Sequence, residues 1–273
     1  MYLCYIDGEF KKPEDARLPI SDLIIQRGVG VFEVMATHDL KILMLTPHLE
    51  RFKNSAESCG IINLPDVEFM KKIIHEGVLK INKDVRVKAY ISGGDVFDEA
   101  TGKFTNPRFF VIFEAQDVVS NETRSKGVIL DPVPYGRDDP NVKSVDYRKT
   151  YQNHSGTFET LYCPDGEITE AGHSTFFLIV NNILITAPLN RVLKGTTRAA
   201  IIELAKSENI KVEERCPLWS ELAGASEAFI TGSVKKVVPV VKIGGIVIGN
   251  GKPGTITQKL SNLYDKYISR WLE

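Results

Sequence analysis

Residues 194–202 read Lys-Gly-Thr-Thr-Arg-Ala-Ala-Ile-Ile, which brings a glycine and two hydroxyl side chains to the predicted start of a helix. The free N–H groups of a helix start and the positive end of its dipole favour an anion, and Gly195 lets the backbone come close to one. The stretch therefore predicts a binding site for a phosphate group. A structural alternative stays open, because Thr196 or Thr197 can also serve only to cap the helix.

The composition is that of a soluble globular enzyme. The chain has 273 residues, of which 43% are hydrophobic and 25% charged, enough for one large domain or two smaller ones. The formal net charge of −1 leaves no basic surplus for a nucleic-acid partner. No segment has the pattern of a membrane span or a signal peptide, so we expect no membrane partner and a cytoplasmic location. The four cysteines lie far apart without a CxxC pair, which indicates reduced thiols and no metal site.

The first half of the chain has the pattern of an α+β unit. Two short strands at residues 2–6 and 9–10 flank Asp7-Gly8, the first hairpin signal. Thr46-Pro47 opens a predicted helix that ends at Gly60, and the three- and four-residue spacing places Arg51 on its mainly apolar face. The other predicted elements of this half are a helix from Pro65 to about Lys80 and strands at 86–92 and 108–114.

The second half follows a polar, weakly patterned stretch at residues 116–126. We interpret this stretch as a linker between an N-terminal α/β domain of residues 1–115 and a C-terminal domain of residues 127–273. Hairpins are predicted at Asn181-Asn182 and Gly244-Gly245. Predicted strands cover 128–130, 175–180, 183–186, 228–231 and 237–243, and predicted helices cover 197–209, 219–223 and the chain from about 257.

Lys143 and Glu170 are the two residues whose chemistry the local sequence favours most. Lys143 follows a proline-rich loop and is flanked by Val142 and Val145, so partial desolvation would lower its pKa and let its amine form a Schiff base with a carbonyl. A solvated surface lysine is the alternative. Glu170 precedes a strongly apolar strand, and a buried carboxylate needs a positive or donating partner. A protonated pyridine nitrogen and a nearby arginine are both open as that partner.

Together with further segments, these residues resemble the fold-type IV pyridoxal-phosphate enzymes, which include branched-chain and D-amino-acid aminotransferases and aminodeoxychorismate lyase. The resemblance extends over nearly the whole chain, and the order and spacing of the segments carry it. The matching segments after the first hairpin are Arg27–Glu33, His48–Phe52, Val142–Ser144, Ile168–Gly172, Leu193–Arg198, Ala228–Ser233, Val238–Val240 and Gly251–Thr255.

The resemblance implies a two-domain D-amino-acid-aminotransferase-like fold of the α/β (α+β) class, with cofactor binding in the C-terminal domain. It implies pyridoxal 5'-phosphate as the cofactor and commonly a homodimer. Lys143 would form the internal aldimine and then move the substrate α-proton, and Glu170 would pair with the pyridine nitrogen. Tyr147 would reach the ring oxygen of the cofactor or serve in packing. The phosphate group would be bound by Arg51, Thr196, Thr197, Gly232 and Ser233.

The substrate side departs from the family pattern. Phe32 and Glu33 resemble the segment that lines the substrate, with Phe32 as its wall, and Val34 stands where the lyases usually have a threonine. Arg86 is a candidate for binding a substrate carboxylate, or else an arginine on a solvent-facing strand. His173 and His154 match no catalytic position of the family and receive no role.

The resemblance leaves three functions to weigh. The first is an aminotransferase that moves an amino group between an amino acid and a 2-oxo acid through a Schiff base at Lys143. The second is aminodeoxychorismate lyase, a folate-pathway enzyme that releases pyruvate and 4-aminobenzoate, which Val34 disfavours. The third is a nonenzymatic protein that only binds pyridoxal phosphate. Small amino and oxo acids are the expected partners of the first.

Overall fold

The computed structural model describes residues 1–152 and 156–273, and their contacts form two compact units. The first unit contains Met1–Asp117, Val142–Asp146 and Arg270–Glu273. The second contains Val118–Asn141 and Tyr147–Ser269. Lys143 therefore belongs to the first unit, although a division by sequence position alone assigns it to the second. The domain limits drawn from the sequence stay a prediction.

The first unit is built on a six-stranded antiparallel sheet in the order β2-β1-β8-β5-β3-β4. A separate two-stranded hairpin pairs β6 with β7. The elements are β1 (Leu3–Ile6), β2 (Glu9–Lys11), α1 (Leu23–Arg27), β3 (Gly30–His38), β4 (Lys41–Ile42), α2 (Leu45–Ser58), α3 (Val67–Ile81), β5 (Arg86–Ser92), β6 (Phe97–Asp98), β7 (Lys103–Phe104) and β8 (Arg108–Glu114).

The core of the first unit lies between one face of this sheet and helices α2 and α3. Alternate residues of the strands, such as Met35 and Val87, are fully buried there with Phe52 of α2 and Ile74 of α3. Gly77 allows the close approach of α3, because a Cβ at this position would lie 2.1 Å from the ring of Phe113 on β8. The same alternation directs the other residues of each strand to the opposite face of the sheet.

The second unit contains an eight-stranded mixed sheet in the order β10-β9-β15-β14-β11-β12-β13, with β16 paired to β15. β9 is parallel to both β10 and β15, and β12 is parallel to β13. The elements are α4 (Asn121–Lys126), β9 (Val128–Val133), α5 (Arg148–Gln152), β10 (Glu159–Tyr162), β11 (Thr175–Val180), β12 (Ile183–Thr186), α6 (Thr196–Ser207), β13 (Val212–Glu214), β14 (Glu227–Gly232), β15 (Lys236–Ile243), β16 (Ile246–Val247) and α7 (Thr255–Tyr267). Helices α6 and α7 pack on one another and on β14.

Most predicted elements are confirmed, including both strands 86–92 and 108–114 and the hairpin with positive φ at Asn181 and Asn182. The predicted start of α2 is wrong. Met44 is the N-cap in a left-handed conformation, and Thr46 lies inside the first turn, where its N–H donates to Glu273 Oε1 at 2.9 Å. The contact with Glu273 replaces a side-chain cap at the start of α2. No local sequence pattern predicts it, because the two residues lie far apart in the chain.

Several regular elements occur where none is predicted, namely α1, β3, β4, β6, β7, α4, α5, β10 and β13. β3 is not predicted because apolar side chains occupy both faces of the strand and its buried face carries Glu33, which hides the hydrophobic–polar alternation that marks a strand. Helix α4 lies within the predicted linker and is capped by Ser120, whose hydroxyl accepts the Thr123 N–H at 3.0 Å. Arg124 then ties α4 to the rest of its unit by donating to the Lys235 carbonyl at 2.6 Å.

None of the four cysteines forms a disulfide bond, in agreement with their spacing. Across residues 1–152 and 156–273, every helix is too short or too polar to span a bilayer.

Candidate functional site

Lys143 is held by backbone hydrogen bonds from two elements of the first unit. The N–H of Phe32, near the start of β3, donates to the Lys143 carbonyl at 3.0 Å. The Lys143 N–H in turn donates to Ser55 Oγ on α2 at 3.2 Å. Its side chain is 9% exposed, and Nζ lies 4.8 Å from the centre of the Phe32 ring. The lysine is therefore a buried amine on a fixed backbone, because strand and helix both hold it.

Arg51 lies on the buried face of α2 and forms a two-point ion pair with Glu33 of β3. Its Nε and Nη2 lie 2.7 Å from Oε1 and Oε2 of Glu33, and His48 Nδ1 lies 2.7 Å from Oε2. Burial alone would raise the pKa of Glu33, but the charge of Arg51 and these hydrogen bonds hold it well below its usual range. Glu33 and Phe32 face opposite sides of the sheet because they are neighbours in a strand. Glu33 is thus directed to Arg51 and not to the face that Phe32 lines.

The sheet face next to Lys143 carries a row of stacked aromatic rings. The Phe32 ring lies 5.8 Å from that of Tyr90, which lies 4.9 Å from that of Phe110. Val34 follows on the same face, since it is two residues beyond Phe32 in β3. This side of the sheet is apolar beside the buried amine and becomes charged from Val34 onward, because Val34 pairs with Lys88 in the sheet register.

The structure does not bring Arg86 into this group. In the sheet register Phe32 pairs with Tyr90, whereas Arg86 pairs with Ala36. Four residues of strand, about 13 Å, separate these two register positions. The Arg86 Nε donates instead to Glu114 Oε1 at 2.8 Å, so the strand arginine has a partner on the neighbouring strand.

In the second unit, Glu170 forms an ion pair with Arg137. The two side chains are 5% and 13% exposed, and Glu170 Oε1 lies 2.9 Å from Arg137 Nε. Arg137 Nη2 also donates to the Tyr147 hydroxyl at 3.1 Å and to the Gly172 carbonyl at 2.9 Å. Burial alone would lower the pKa of Arg137, but Tyr147 and Glu170 raise it. An arginine is thus one partner of Glu170, which is one of the two alternatives that the sequence left open for this buried carboxylate.

The start of α6 and the end of β14 bring two hydroxyl groups together. Thr196 Oγ1 lies 3.5 Å from Ser233 Oγ, and Ser233 follows Gly232, the last residue of β14. Gly195 is the N-cap of α6, and no side-chain cap bond occurs there among the described residues. The interpretation of Thr196 or Thr197 as a cap is therefore wrong, because both lie inside the first turn.

Three contacts among the candidate site residues are not predicted from the sequence. Arg137 lies in a proline-rich loop without a local pattern, so nothing in its neighbourhood predicts the contact with Glu170. The pairing of Glu33 with Arg51 follows from strand alternation, which a prediction of β3 would have supplied. His173 stacks on Tyr147 with ring centres 5.1 Å apart. His154 lies outside the described residues.

One exposed group of the described residues has the composition of a metal site. Ligand atoms of His38, Asp39 and Asp84 lie within 4.8 Å of one another. The two carboxylate oxygens of Asp84 accept the backbone N–H groups of Asp39 and Leu40 at 3.1 and 2.9 Å. These bonds explain the group as a turn stabilised by a side chain.

Comparison with known proteins gives a consistent result. The family model described as amino-transferase class IV matches residues 30–243. A protein of Methanocaldococcus jannaschii is provisionally named a branched-chain-amino-acid aminotransferase. It is 31% identical to this chain, and the match covers 98% of this chain and 96% of the relative. The D-alanine aminotransferase of Staphylococcus aureus strain N315 is 25% identical, with 97% of each chain covered.

The fold is also that of a solved structure. The branched-chain amino acid aminotransferase of Escherichia coli superposes with a TM-score of 0.90 at 22% identity, over 100% of this chain and 98% of the other. The two-domain α/β class implied by the family resemblance is thereby confirmed.

Proposed function

Since the chain belongs to the class IV amino-transferase family, we propose that it is a pyridoxal-phosphate-dependent enzyme that exchanges an amino group between an amino acid and a 2-oxo acid. The observation that carries this proposal is the buried Lys143 amine, held at its backbone by both β3 and α2. Lysine is seldom buried unless its charge is compensated, because burial of that charge is costly. An aminotransferase needs such an amine in a fixed position.

The residues present fit the three functional groups of pyridoxal phosphate. Lys143 supplies an amine for the aldehyde, and the buried carboxylate of Glu170 suits a protonated ring nitrogen. The first turn of α6 and the paired hydroxyls of Thr196 and Ser233 suit a phosphate, since helix starts bind anions through N–H groups and the helix dipole. These donors and acceptors match the chemistry of the cofactor group by group.

When bound, pyridoxal phosphate supplies an aldehyde that takes up an amino group and a protonated ring that withdraws electrons from the substrate Cα. In the proposed mechanism Lys143 would hold the cofactor through Nζ until the amino group of the substrate displaces it. The freed Nζ would then take the proton from Cα and deliver it to the aldehyde-derived carbon of the cofactor. Glu170 keeps a proton on the pyridine nitrogen by accepting a hydrogen bond from it. Arg137 retains two other acceptors, the Tyr147 hydroxyl and the Gly172 carbonyl, when Glu170 turns to the ring.

Arg51, Thr196, Thr197, Gly232 and Ser233 are proposed to bind the phosphate. Arg51 reaches this role already oriented, because Glu33 fixes two of its nitrogens. Tyr147 is proposed for the ring oxygen, since its hydroxyl accepts from Arg137 and is thereby directed.

We propose that the amino donor has an apolar side chain. Phe32, Tyr90 and Val34 share the sheet face next to Lys143, and this face has apolar surface to bury. Arg86 receives no substrate role, because its guanidinium pairs with Glu114.

The test measures amino transfer directly. Protein loaded with pyridoxal phosphate is mixed with L-leucine or D-alanine and with 2-oxoglutarate, and both products are quantified by chromatography. We expect one new 2-oxo acid and one glutamate per turnover. We expect the Lys143→Ala variant to lose more than about 10³-fold in rate, because the covalent holder and the proton carrier vanish together. Lys53→Ala, at a half-exposed lysine of α2 in the same unit, serves as the matched control.

The same assay separates the alternatives. Release of 4-aminobenzoate from aminodeoxychorismate, without amino transfer, would establish the lyase in place of the aminotransferase. Val34 opposes that outcome, since its side chain has no hydroxyl to take part in proton transfer. Cofactor binding without any product would indicate a carrier protein.

We further propose that the enzyme is a homodimer, as the family resemblance implies. Support comes from exposed apolar side chains of the first unit, Ile25 of α1 and Phe97 of β6, which are 53% and 50% exposed. Light scattering behind size-exclusion chromatography measures the mass, and a monomer of 30.5 kDa at all concentrations contradicts the proposal.

A further inference from the structure

Glu159 is a buried carboxylate of the second unit that the proposed function leaves without a role. It is the first residue of β10, and its side chain is 2% exposed. The Ser174 hydroxyl donates to Oε2 at 2.8 Å, and the Lys235 ammonium lies 3.0 Å from the same oxygen. The backbone N–H of His173 donates to Oε1. These donors come from two separate segments, so the carboxylate joins them.

The first segment is the turn that begins directly after Glu170. The N–H of Ala171 donates to the Ser174 carbonyl at 2.8 Å and closes this turn. On the other side of the turn, the Tyr162 N–H at the end of β10 donates to the Glu170 carbonyl at 2.9 Å. β10 therefore holds both ends of the turn, with its backbone at Glu170 and with the Glu159 side chain at Ser174.

The second segment is the connection from β14 to β15. Lys235 follows Ser233 by two residues, and its ammonium also lies 3.4 Å from Ser174 Oγ. A Cβ on Gly232 would come within 3.8 Å of Ser174 Oγ, so the end of β14 and the turn after Glu170 are close neighbours. Glu159 holds them together through Lys235 on one side and Ser174 on the other.

A third connection runs through His173. Its Nδ1 lies 3.4 Å from Glu159 Oε1, and its ring stacks on Tyr147 at an interplanar angle of 22°. Glu159 thus reaches three residues with proposed cofactor roles: Glu170 by the turn, Ser233 by Lys235, and Tyr147 by His173. Burial alone would raise the pKa of Glu159, but the charge of Lys235 and the hydrogen bonds lower it to about 2. The carboxylate is therefore charged at neutral pH.

We propose that Glu159 is a positioning residue whose ion pair with Lys235 sets the spacing between Glu170 and Ser233 and thereby how tightly the chain retains pyridoxal phosphate. The inference rests on the proposed function, because it assigns these two residues to opposite ends of one ligand. Glu159 itself touches neither end. Its effect is on affinity, through the geometry of residues that do.

The test compares Lys235→Met with Lys236→Met. Lys236 is the adjacent residue, and its ion pair with Asp265, at 2.7 Å, is on the surface. Each full-length protein is loaded with pyridoxal phosphate, and the dissociation constant is measured from cofactor absorbance after dilution. We expect Lys235→Met to raise the constant about tenfold, the lower end of the range for residues that orient metal ligands. We expect Lys236→Met to leave it unchanged.

A second measurement separates positioning from general stability. The thermal midpoint of each variant is recorded without cofactor. A merely structural pair would lower that midpoint and leave the dissociation constant of the folded protein as it is, which overturns the inference. Glu159→Gln and the double variant complete the set, and the double variant should bind no more weakly than the weaker single one, since both remove one interaction.

The outcomes distinguish this inference from the proposed function. If the wild type and Lys236→Met bind the cofactor and Lys235→Met binds it equally well, the inference fails and the proposed function stands. If the wild type binds no cofactor at all, both fail. If Glu159→Gln does not fold, Lys235→Met still decides, because it leaves Ser174 and His173 as donors to the carboxylate.

Discussion

The two units each bury a glutamate against an arginine, and the two pairs are built differently. In the first unit, Arg51 directs both Nε and Nη2 to Glu33 at 2.7 Å. In the second unit, Arg137 lies 2.9 Å from Glu170 and also donates to the Tyr147 hydroxyl and the Gly172 carbonyl. The first arginine directs two donors to one carboxylate, whereas the second lies against its carboxylate and directs Nη2 to two other acceptors.

Burial alone therefore does not identify a ligand-binding carboxylate. Both glutamates obey the rule that a buried charge needs a partner. Glu33 shares its oxygens with Arg51 and His48, so we interpret it as the residue that orients Arg51. Glu170 has an arginine with other acceptors, so it is the carboxylate that we expect to exchange its partner for a ring nitrogen.

The largest effect should come from breaking the first pair. Glu33→Ala leaves Arg51 buried without its carboxylate, and we expect the free energy of unfolding to fall by roughly 3–5 kcal/mol. Urea denaturation followed by circular dichroism measures it. Glu114→Ala is the matched control, because Glu114 lies on the opposite face of the same sheet and pairs with partly exposed Arg86, for a cost of about 1 kcal/mol or less. If both variants lose the same unfolding free energy, the buried pair of Glu33 with Arg51 contributes no more to stability than the partly exposed pair of Glu114 with Arg86.

The second pair should respond in rate more than in stability. Glu170→Gln is expected to lower kcat by about 10²-fold or more, since an amide cannot keep the ring nitrogen protonated. Its unfolding free energy should fall by less than that of Glu33→Ala, because Arg137 keeps the acceptors at Tyr147 and Gly172. Initial rates and urea denaturation give the two values. A variant with normal kcat contradicts the role of Glu170.

Acid should weaken the first pair in a defined direction. The pKa of Glu33 is held below its ordinary value of 4.5, so the unfolded chain binds its proton at a higher pH than the folded one. The stabilisation is complete above pH 4.5 and is lost as the pH falls below it. We expect the unfolding free energy of Glu33→Gln to fall less steeply between pH 5 and pH 3 than that of the wild type. Parallel curves would show that Glu33 does not titrate with folding.

The smallest effect should come from Arg86. Arg86→Gln removes a guanidinium that pairs with Glu114 far along β5 from Tyr90, and we expect KM for the amino acid to change by about twofold or less.

Phe32→Ala removes apolar contact beside Lys143, and we expect KM for the amino acid to rise by roughly tenfold, more than in Arg86→Gln. Steady-state kinetics decides between them. A larger rise in Arg86→Gln would restore this residue as a substrate ligand.

Much of the fold is predictable because its signals are local. Alternation gives strands 86–92 and 108–114 directly, and Asn181-Asn182 identifies a hairpin that the structure confirms. β3 is the instructive failure, since apolar residues on both faces and a glutamate on the buried face remove the pattern that marks a strand. Without a predicted strand at β3, the sequence also does not predict that Phe32 and Glu33 face opposite sides of the sheet.

The sequence alone identifies candidates for the chemistry: a lysine flanked by valines, a carboxylate before an apolar strand, and a glycine and two threonines at a helix start. Each of these signals extends over a few neighbouring residues. The family resemblance carried by the order of the segments then selects pyridoxal-phosphate chemistry among the alternatives that these candidates leave open. The partners are a different matter, because Arg51 and Glu33 lie 18 residues apart, and Lys235 and Glu159 lie 76 apart. Such pairs form only when strands and helices pack, and packing depends on the whole core, so the tertiary structure alone selected which charge faces which.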